Sequence, residues 1–590
     1  MPQKIIRIGG ASGAWGDSPG ALKQLLDAGV DYLMMDYLAE VTMSLLARAR
    51  LKDPAAGFPP DAVAYLGEVL PVLAAKGVKV ASNAGGVNPA AAKRALEDLI
   101  AKAGLALRVA SIEGDDVLPM LPMLRAQDVR EAVSGAPLPE KLLTANAYLG
   151  ALPIKAAFDA GADIVITGRC ADSALALGIL MHEFDWAASD YDRLAAGSLV
   201  GHILECGPQA TGGNFTDWET VPDWANIGYP LALCHEDGSF HLTKPANTGG
   251  LICPEAVAEQ TLYEIGDPAA YILPDLVADF SNVRISRVDA NTVEVRGAKG
   301  RPPTAQYKVS ATYQDGYRSV ATVSIIGINA AAKAERTAQA LIERAETIFR
   351  SRNLPPFKAT HIETLGAEAS YGTKSLARAS REVLLRLAVV HSSREALEIF
   401  GRELGSVGLS CAPGTTGIYS GRPKPTPVVR LFTMFLDKSL FSAPQITIGA
   451  AAAVDVQIPT SGGYIVPEPQ HLPVAQTTAD TRQVPLFKIA YARSGDKGNS
   501  SNVAIFARKP EYLPWLRLIL TPEKIVAQLD QLVNGPARRF DAPGLHAVNF
   551  LIEDALGGGG MASLRIDPQG KAYAQMVLEM PVPVPVGWVI

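Results

Sequence analysis

Along the first 180 residues, short apolar runs rich in β-branched side chains alternate with stretches whose apolar positions recur every three or four residues. Residues 5–8 form one such run, and runs at 30–38, 78–86, 105–117 and 162–180 repeat it. Helical periodicity fills the gaps at about 60–76, from Pro89 onward, and from a helix start at 171–173. Strands alternating with helices predict a parallel sheet covered on both faces, hence an α/β fold with a doubly wound, mostly parallel sheet. Ligands of such sheets bind beyond the carboxyl ends of the strands. That rule gathers the loop from Gly9 to Asp17, then Asp36, the segment 83–88, the acidic segment 113–116 and the segment 168–173 onto one rim.

The first strand runs into a loop containing Gly9, Gly10, Gly13 and Gly16, where Asp17 or Ser18 is placed to cap a helix with Pro19 in its first turn. Free N–H groups of such a loop suit an anion or a carbonyl oxygen, and a tight turn that binds nothing fits equally. Its spacing matches neither the dinucleotide fingerprint nor the lysine-ended phosphate loop. Past residue 200 the chain reads as a long loop dense in Gly, Pro and Trp, offering Glu205, Cys206, Thr211, Gly212, Gly213 and Asn214 to the same rim. A hairpin turn at Asp237 and Gly238 follows, with Lys244 at a strand end. Residues 278–328 alternate apolar with polar and predict a β-rich subdomain.

Residues 466–485 are proline-bearing, polar and aperiodic, and are expected to link two units, 1–465 (with 1–250 a Rossmann-like core) and 486–590. The second unit predicts about four strands and two helices, a compact α+β arrangement. Its loop at 493–502, carrying Arg493, Ser494, Gly495, Asp496, Lys497, Gly498 and Asn499, suits a phosphate grip or a salt-bridged turn.

Composition narrows the function. Hydrophobic residues make up 48% of the 590 positions and the net charge is −6, a balance that disfavours disorder and a nucleic-acid partner. From residue 481 on, 12 Lys and Arg stand against 9 Asp and Glu. The five cysteines, at 170, 206, 234, 253 and 411, never form a C-x-x-C pair, which argues against a zinc site or a disulfide framework. No apolar run is long enough for a bilayer and no cleavable leader is evident, so a cytoplasmic protein without a membrane partner is expected.

The segments IGGASGAWGDSP, ASNAGG, ITGRCADSA, HILECGPQATGGNFTDW, KPANTGGL and YEIGDP together resemble the acyclic terpene utilization AtuA family, and RSGDKGNSSN resembles the ferredoxin-like domain that accompanies it. The resemblance implies a ferredoxin-like C-terminal domain and a part in the catabolism of branched acyl-CoA compounds such as those derived from citronellol and geraniol. It transfers no catalytic set. On the residues, the leading expectation is an enzyme acting on an acyl-CoA thioester, a hydratase/dehydratase or carbon–carbon lyase, with coenzyme A as part of the substrate, no tightly bound cofactor, and a homo-oligomeric state. Asp36, Asp172 and Glu205 are the acid/base candidates, and the backbone at Gly85 and Gly86 or at Gly212 and Gly213 is the oxyanion candidate. Arg169 and Lys244 would hold a substrate carboxylate, Arg493 and Lys497 the CoA phosphates, while Gly9, Gly10, Gly16, Asp17 and Asn83 complete the rim. Three alternatives stand beside it: thiol-dependent acyl transfer or hydrolysis by Cys206 near His202, a CoA-ester-binding accessory subunit of a carboxylase pathway without catalysis, and magnesium held by Asp36, Glu113, Asp115 and Asp116.

Overall fold

A computed structural model describes residues 4–418, 421–467, 472, 474–476 and 480–590. Strands β1 (Ile5–Ser12), β2 (Tyr32–Met35), β3 (Lys79–Ser82), β4 (Val109–Glu113), β5 (Thr144–Ala147) and β6 (Ile164–Thr167) open the chain. Five of them, in the order β1, β2, β3, β6, β4, form the parallel centre of an eleven-stranded sheet. Every residue of β2 and β6 is buried, as a strand covered on both faces requires. Alternation divides their side chains. Leu33, Val80 and Ile164 pack on Leu25, Leu70, Leu73 and Leu96 of the helices on one face, while Tyr32, Met34 and Val165 pack on Phe158, Leu175, Ile179 and Leu199 on the other.

The sheet is mixed beyond this centre, because antiparallel hairpins extend both edges. Strand β7 (Leu231–His235) pairs with β1 and β8 (Phe240–Thr243) pairs with β7, the two joined by the expected turn at Gly238. Residues 278–328 do not form a β-rich subdomain of their own. Arg284–Asp289 and Thr292–Arg296 extend the main sheet, Val277–Asp279 pairs with Lys299–Arg301, and the long strand Gln306–Ile326 is the spine of a separate six-stranded sheet. That spine also takes β5 as a neighbour, which carries residues 144–148 out of the main sheet and alongside Lys308. Long antiparallel partners bury more apolar surface for this alternating segment than a free-standing hairpin would.

The expected linker lies partly outside the described residues, at 468–471, 473 and 477–479. Its end, Thr481–Pro485, is a strand paired with Pro581–Pro585 at the far end of the chain. The last unit is a four-stranded antiparallel sheet, ordered Ala490–Lys497, Ser500–Ala507, Ala547–Ile552, Ala537–Ala542, with helices packed on one face. Residues 493–497, expected in a loop, continue the first strand, and the turn is confined to Gly498 and Asn499. Two buried amides fasten this unit to the main body: Asn502 donates to Leu262 O at 2.8 Å and accepts from Glu264 N, and Asn549 donates to Ile265 O and Gly266 O at 2.8 and 2.6 Å. This attachment brings Asp496 and Lys497 to the rim. No helix among the described residues is long and apolar enough to cross a membrane.

Candidate active site

The carboxyl end of β2 delivers Asp36, which is buried. Asn83, just beyond β3, donates from Nδ2 to Asp36 Oδ1 at 2.5 Å and accepts Tyr37 N at 2.8 Å. Leu38 N also donates to Oδ1, at 3.2 Å, whereas Oδ2 makes no hydrogen bond to any described residue. Burial, followed by the neighbouring Asp172 carboxylate, raises the Asp36 carboxyl well above its ordinary range, against the pull of Asn83 and Arg169. A carboxyl shifted upward in this way, with one oxygen pinned and one free, has its proton held more tightly than an exposed carboxyl does.

Arg169, beyond β6, fills the next position. Its Nη1 donates to Leu38 O at 2.9 Å and to Asp172 Oδ1 at 2.6 Å, and its guanidinium lies 4.3 Å from the centre of the Tyr148 ring. Asp115 accepts Arg169 N at 2.9 Å and Asn146 Nδ2 at 2.8 Å, and its burial pushes it up to about 6. Tyr148 in turn donates to Glu40 Oε1 at 2.6 Å, and Lys308 Nζ stands 4.7 Å from the centre of the Tyr148 ring and 3.9 Å from the same Glu40 oxygen. Burial lowers Lys308 to about 8; Glu40 opposes the shift, while the charges of Lys497 and Arg169 add to it.

A second row crosses to the C-terminal unit. His202 Nδ1 bonds Glu205 Oε1 at 2.9 Å, and the His202 ring packs against Tyr271 and Phe280 with its Nε2 buried and unpartnered among the described residues. Burial raises the Glu205 carboxyl despite His202. Lys497 reaches to 5.8 Å from the Tyr271 ring centre. Burial works against its charge, yet Tyr271, Glu264, Tyr148 and Glu40 outweigh that and hold the ammonium protonated. Beside it Lys571 ties together Tyr263, Glu264 and Asp496, the last at 3.0 Å. Asp36, Arg169, Asp172, Glu205, Lys308 and Lys497 therefore form one ionisable cluster where the two units meet, linked by mutual electrostatic interactions.

The other rim candidates serve the fold. Gly9 and Gly10 lie within β1, where an added Cβ would stand 2.9 Å from Leu25 and 2.6 Å from Leu204 O, so close packing explains them. Gly16 holds a positive φ of 91°, and Asp17, instead of capping the helix, binds Gly13 N, Ser18 N and the Tyr229 hydroxyl; the helix Gly20–Ala28 starts at Pro19 without a side-chain cap. The proposed oxyanion donors are spent: Gly85 N donates to Thr167 O, Gly86 N to Asn83 O, and Gly212 N and Gly213 N to Pro208 O. Thr211 donates to Gly228 O, Asn214 offers only its carbonyl to Arg493, and Lys244 closes its own turn on Thr248 O. Arg493 is buried, bonded to Asn214 O and Gln209 Oε1 and stacked on Tyr263, so its guanidinium is turned toward the protein's own groups. Ser494 bonds Gly570 O, Gly495 abuts Tyr263 and Glu264, and Asn499 braces Asp554 and Gly558 N. The long loop expected from residue 200 begins instead as the end of helix Tyr191–Leu204.

Cys206 is not paired with His202, which is turned to Glu205. Burial and the Glu205 and Glu264 carboxylates push its thiol well above the ordinary range, an environment opposed to a thiolate nucleophile. Nor are the four carboxylates of the magnesium reading gathered: Asp115 is committed to Asn146 and Arg169 N, Asp116 caps Leu118 N, and no group of three or more His, Cys, Asp or Glu side chains among the described residues is arranged to hold a metal.

Gly85→Ala separates a packing role from a donor role. Its Cβ would lie 2.4 Å from Thr167 O and 2.9 Å from Pro89 Cβ, so a loss of about 1–3 kcal/mol of stability is expected from overpacking. A urea midpoint equal to that of the unmodified protein would contradict this.

Glu40, Tyr148, Lys308, Glu264 and Tyr271 were not expected at the site. Glu40 alone had a local signal, as the first residue of the helix Glu40–Lys52 after Asp36. The others come from distant strands and loops.

Together these features define an α/β protein with an ionisable cluster at its junction with a small C-terminal sheet domain. The chain belongs to the AtuA family, the acyclic terpene utilisation family, whose model matches residues 6–445, and the AtuA ferredoxin-like domain matches residues 484–583. No curated protein and no solved structure matches the chain significantly.

Proposed function

We propose that the cluster is the active site of an enzyme that adds water to, or removes it from, a branched acyl-CoA thioester within acyclic terpene utilisation. The observation that carries this reading is the pair of oppositely shifted groups that both feel the Arg169–Asp172 ion pair: Asp36, raised well above its ordinary range, and Lys308, lowered to about 8. Groups driven apart in this way suit the acid and base of one reaction.

In the hydration direction, Lys308 in its amine form takes a proton from water as the oxygen adds at the β-carbon. Negative charge then develops on the thioester oxygen, and Asp36 Oδ2 delivers a proton to the α-carbon. Lys497 and Arg169, both kept cationic, replace the backbone donors expected at the glycine turns as stabilisers of that enolate-like oxygen. Charged side chains are effective here because surrounding protein weakens solvent screening. Glu205 and His202 orient the wall that Lys497 faces.

Loss of the conjugated thioester absorbance, followed with branched α,β-unsaturated acyl-CoAs and with the matching free acids as controls, tests the reading. Turnover confined to the thioesters is expected, and no turnover with any of them rejects it. Because the base must be neutral, kcat/KM is expected to rise with pH through about 8, where the Lys308 ammonium deprotonates. Lys308→Met should abolish that limb along with most of the activity. A profile flat through that range removes Lys308 from the role.

A further inference from the structure

A cleft of about 490 Å³ lies between the spine sheet and the loop 560–568 of the C-terminal unit. Arg318, Arg386, Arg422, Lys424 and Arg565 line it. Glu363 is the carboxylate that answers them, and it is paired with Arg386 at 2.5 Å. Arg386 also donates to Leu564 O at 2.6 Å, and Arg565 donates to Leu532 O and Ala555 O at 2.6 and 2.7 Å, so both cations are held rigidly by the backbone around them. Arg318 has a single long bond, 3.3 Å to Met561 O. Arg422 and Lys424 are exposed and flank Pro423. No carboxylate of the described residues is within ion-pair distance of Arg318, Arg422, Lys424 or Arg565.

Like charges gathered in a concave site repel unless an anion joins them. Burial, and after it the nearby Arg386 charge, weakens proton binding at Arg318. The guanidinium groups of Arg318 and Arg422, which no described carboxylate answers, with the exposed Lys424 beside them, match phosphate oxygens in chemistry and charge. We propose that this cleft binds a small ligand carrying two or more phosphate groups, gripped by Arg318, Arg422 and Lys424 and oriented by Arg386 and Arg565. Gly560, which also lines the cleft, packs toward Asp496, the neighbour of Lys497, so one loop separates this site from the ionisable cluster. The phosphates belong either to the nucleotide end of a coenzyme A ester or to a separate phosphorylated effector. The proposal does not depend on the reaction assigned to the ionisable cluster.

Calorimetric titration of the full-length protein with inorganic pyrophosphate and with adenosine 3′,5′-bisphosphate tests it. Both are expected to bind, and Arg318→Gln or the surface double substitution Arg422→Gln/Lys424→Gln should weaken each by about tenfold or more through loss of charge-assisted bonds. The double substitution touches only exposed side chains, so it reports binding even if Arg318→Gln fails to fold. Absence of binding by both probes, or equal binding to the unmodified protein and the double variant, overturns the proposal. Displacement of pyrophosphate by coenzyme A but not by pantetheine assigns the site to the nucleotide end of the thioester; binding undisturbed by coenzyme A assigns it to a separate effector. Asp36→Asn should bind both probes unchanged, which keeps a failure of the catalytic reading distinct from a failure of this one.

Discussion

Asp36→Asn is expected to lower kcat by about 10²–10⁴-fold, the usual contribution of a positioned general acid, while leaving the protein folded. The substitution is close to isosteric, and its amide oxygen can still accept from Asn83 Nδ2 and Leu38 N, the two bonds that hold the side chain. What disappears is the acidic proton on the free oxygen. Burial and Asp172 push the unmodified carboxyl toward its neutral form, so the neutral amide suits the same surroundings. KM for the thioester should change little, because the group acts on the transition state more than on the bound substrate. A variant that retains full kcat would remove Asp36 from the chemistry and leave it a structural neighbour of Asn83. Circular dichroism and the urea midpoint serve as the control for folding.

Arg169→Met is expected to cost about 2–4 kcal/mol of stability, read from urea unfolding at neutral pH. Removal of one partner of a buried ion pair typically costs about 3–5 kcal/mol, and the partial solvent access of Asp172 screens some of that. The loss has three parts: the 2.6 Å bond to Asp172, the 2.9 Å bond to Leu38 O, and the stacking on Tyr148. Activity should fall as well, because Arg169 is one of the two cations assigned to the enolate-like oxygen. Arg169→Lys keeps the charge but lacks the planar fork that serves both acceptors and the ring, so an intermediate stability is expected. Equal stability of the methionine variant and the unmodified protein would show that the pair is energetically idle.

Local pattern was enough to locate the strands at β1, β2, β3, β4 and β6, because strands buried on both faces need uninterrupted apolar runs and their covering helices need a stripe every three to four residues. The rule that ligands collect at carboxyl ends then selected Asp36, Asn83, Arg169 and Asp172 without any coordinates, and Glu205 and Lys497 also stand in the cluster. The glycine motifs were legible as turns and misleading as donors. Glycine in a sequence states that a Cβ is not tolerated; it does not state whether the obstacle is a ligand or the protein itself. At Gly10 the obstacle is Leu204 O, and at Gly85 it is Thr167 O.

The sequence by itself determined the class of fold, the order of the parallel strands' capping residues along the chain, and the acidic and basic groups at their ends, since each depends on periodicities of two or 3.6 residues. Only the tertiary structure decided which of those groups meet. Tyr148 reaches Arg169 because β5 leaves the main sheet for the spine strand, Lys308 arrives on that same strand from well over a hundred residues away, and Lys497 arrives because Asn502 and Asn549 dock the C-terminal sheet. Such contacts carry no local periodicity: they follow from the pairing of distant strands and the burial of a few amides, and the shifts of Asp36 and Lys308 exist only once those neighbours exclude water.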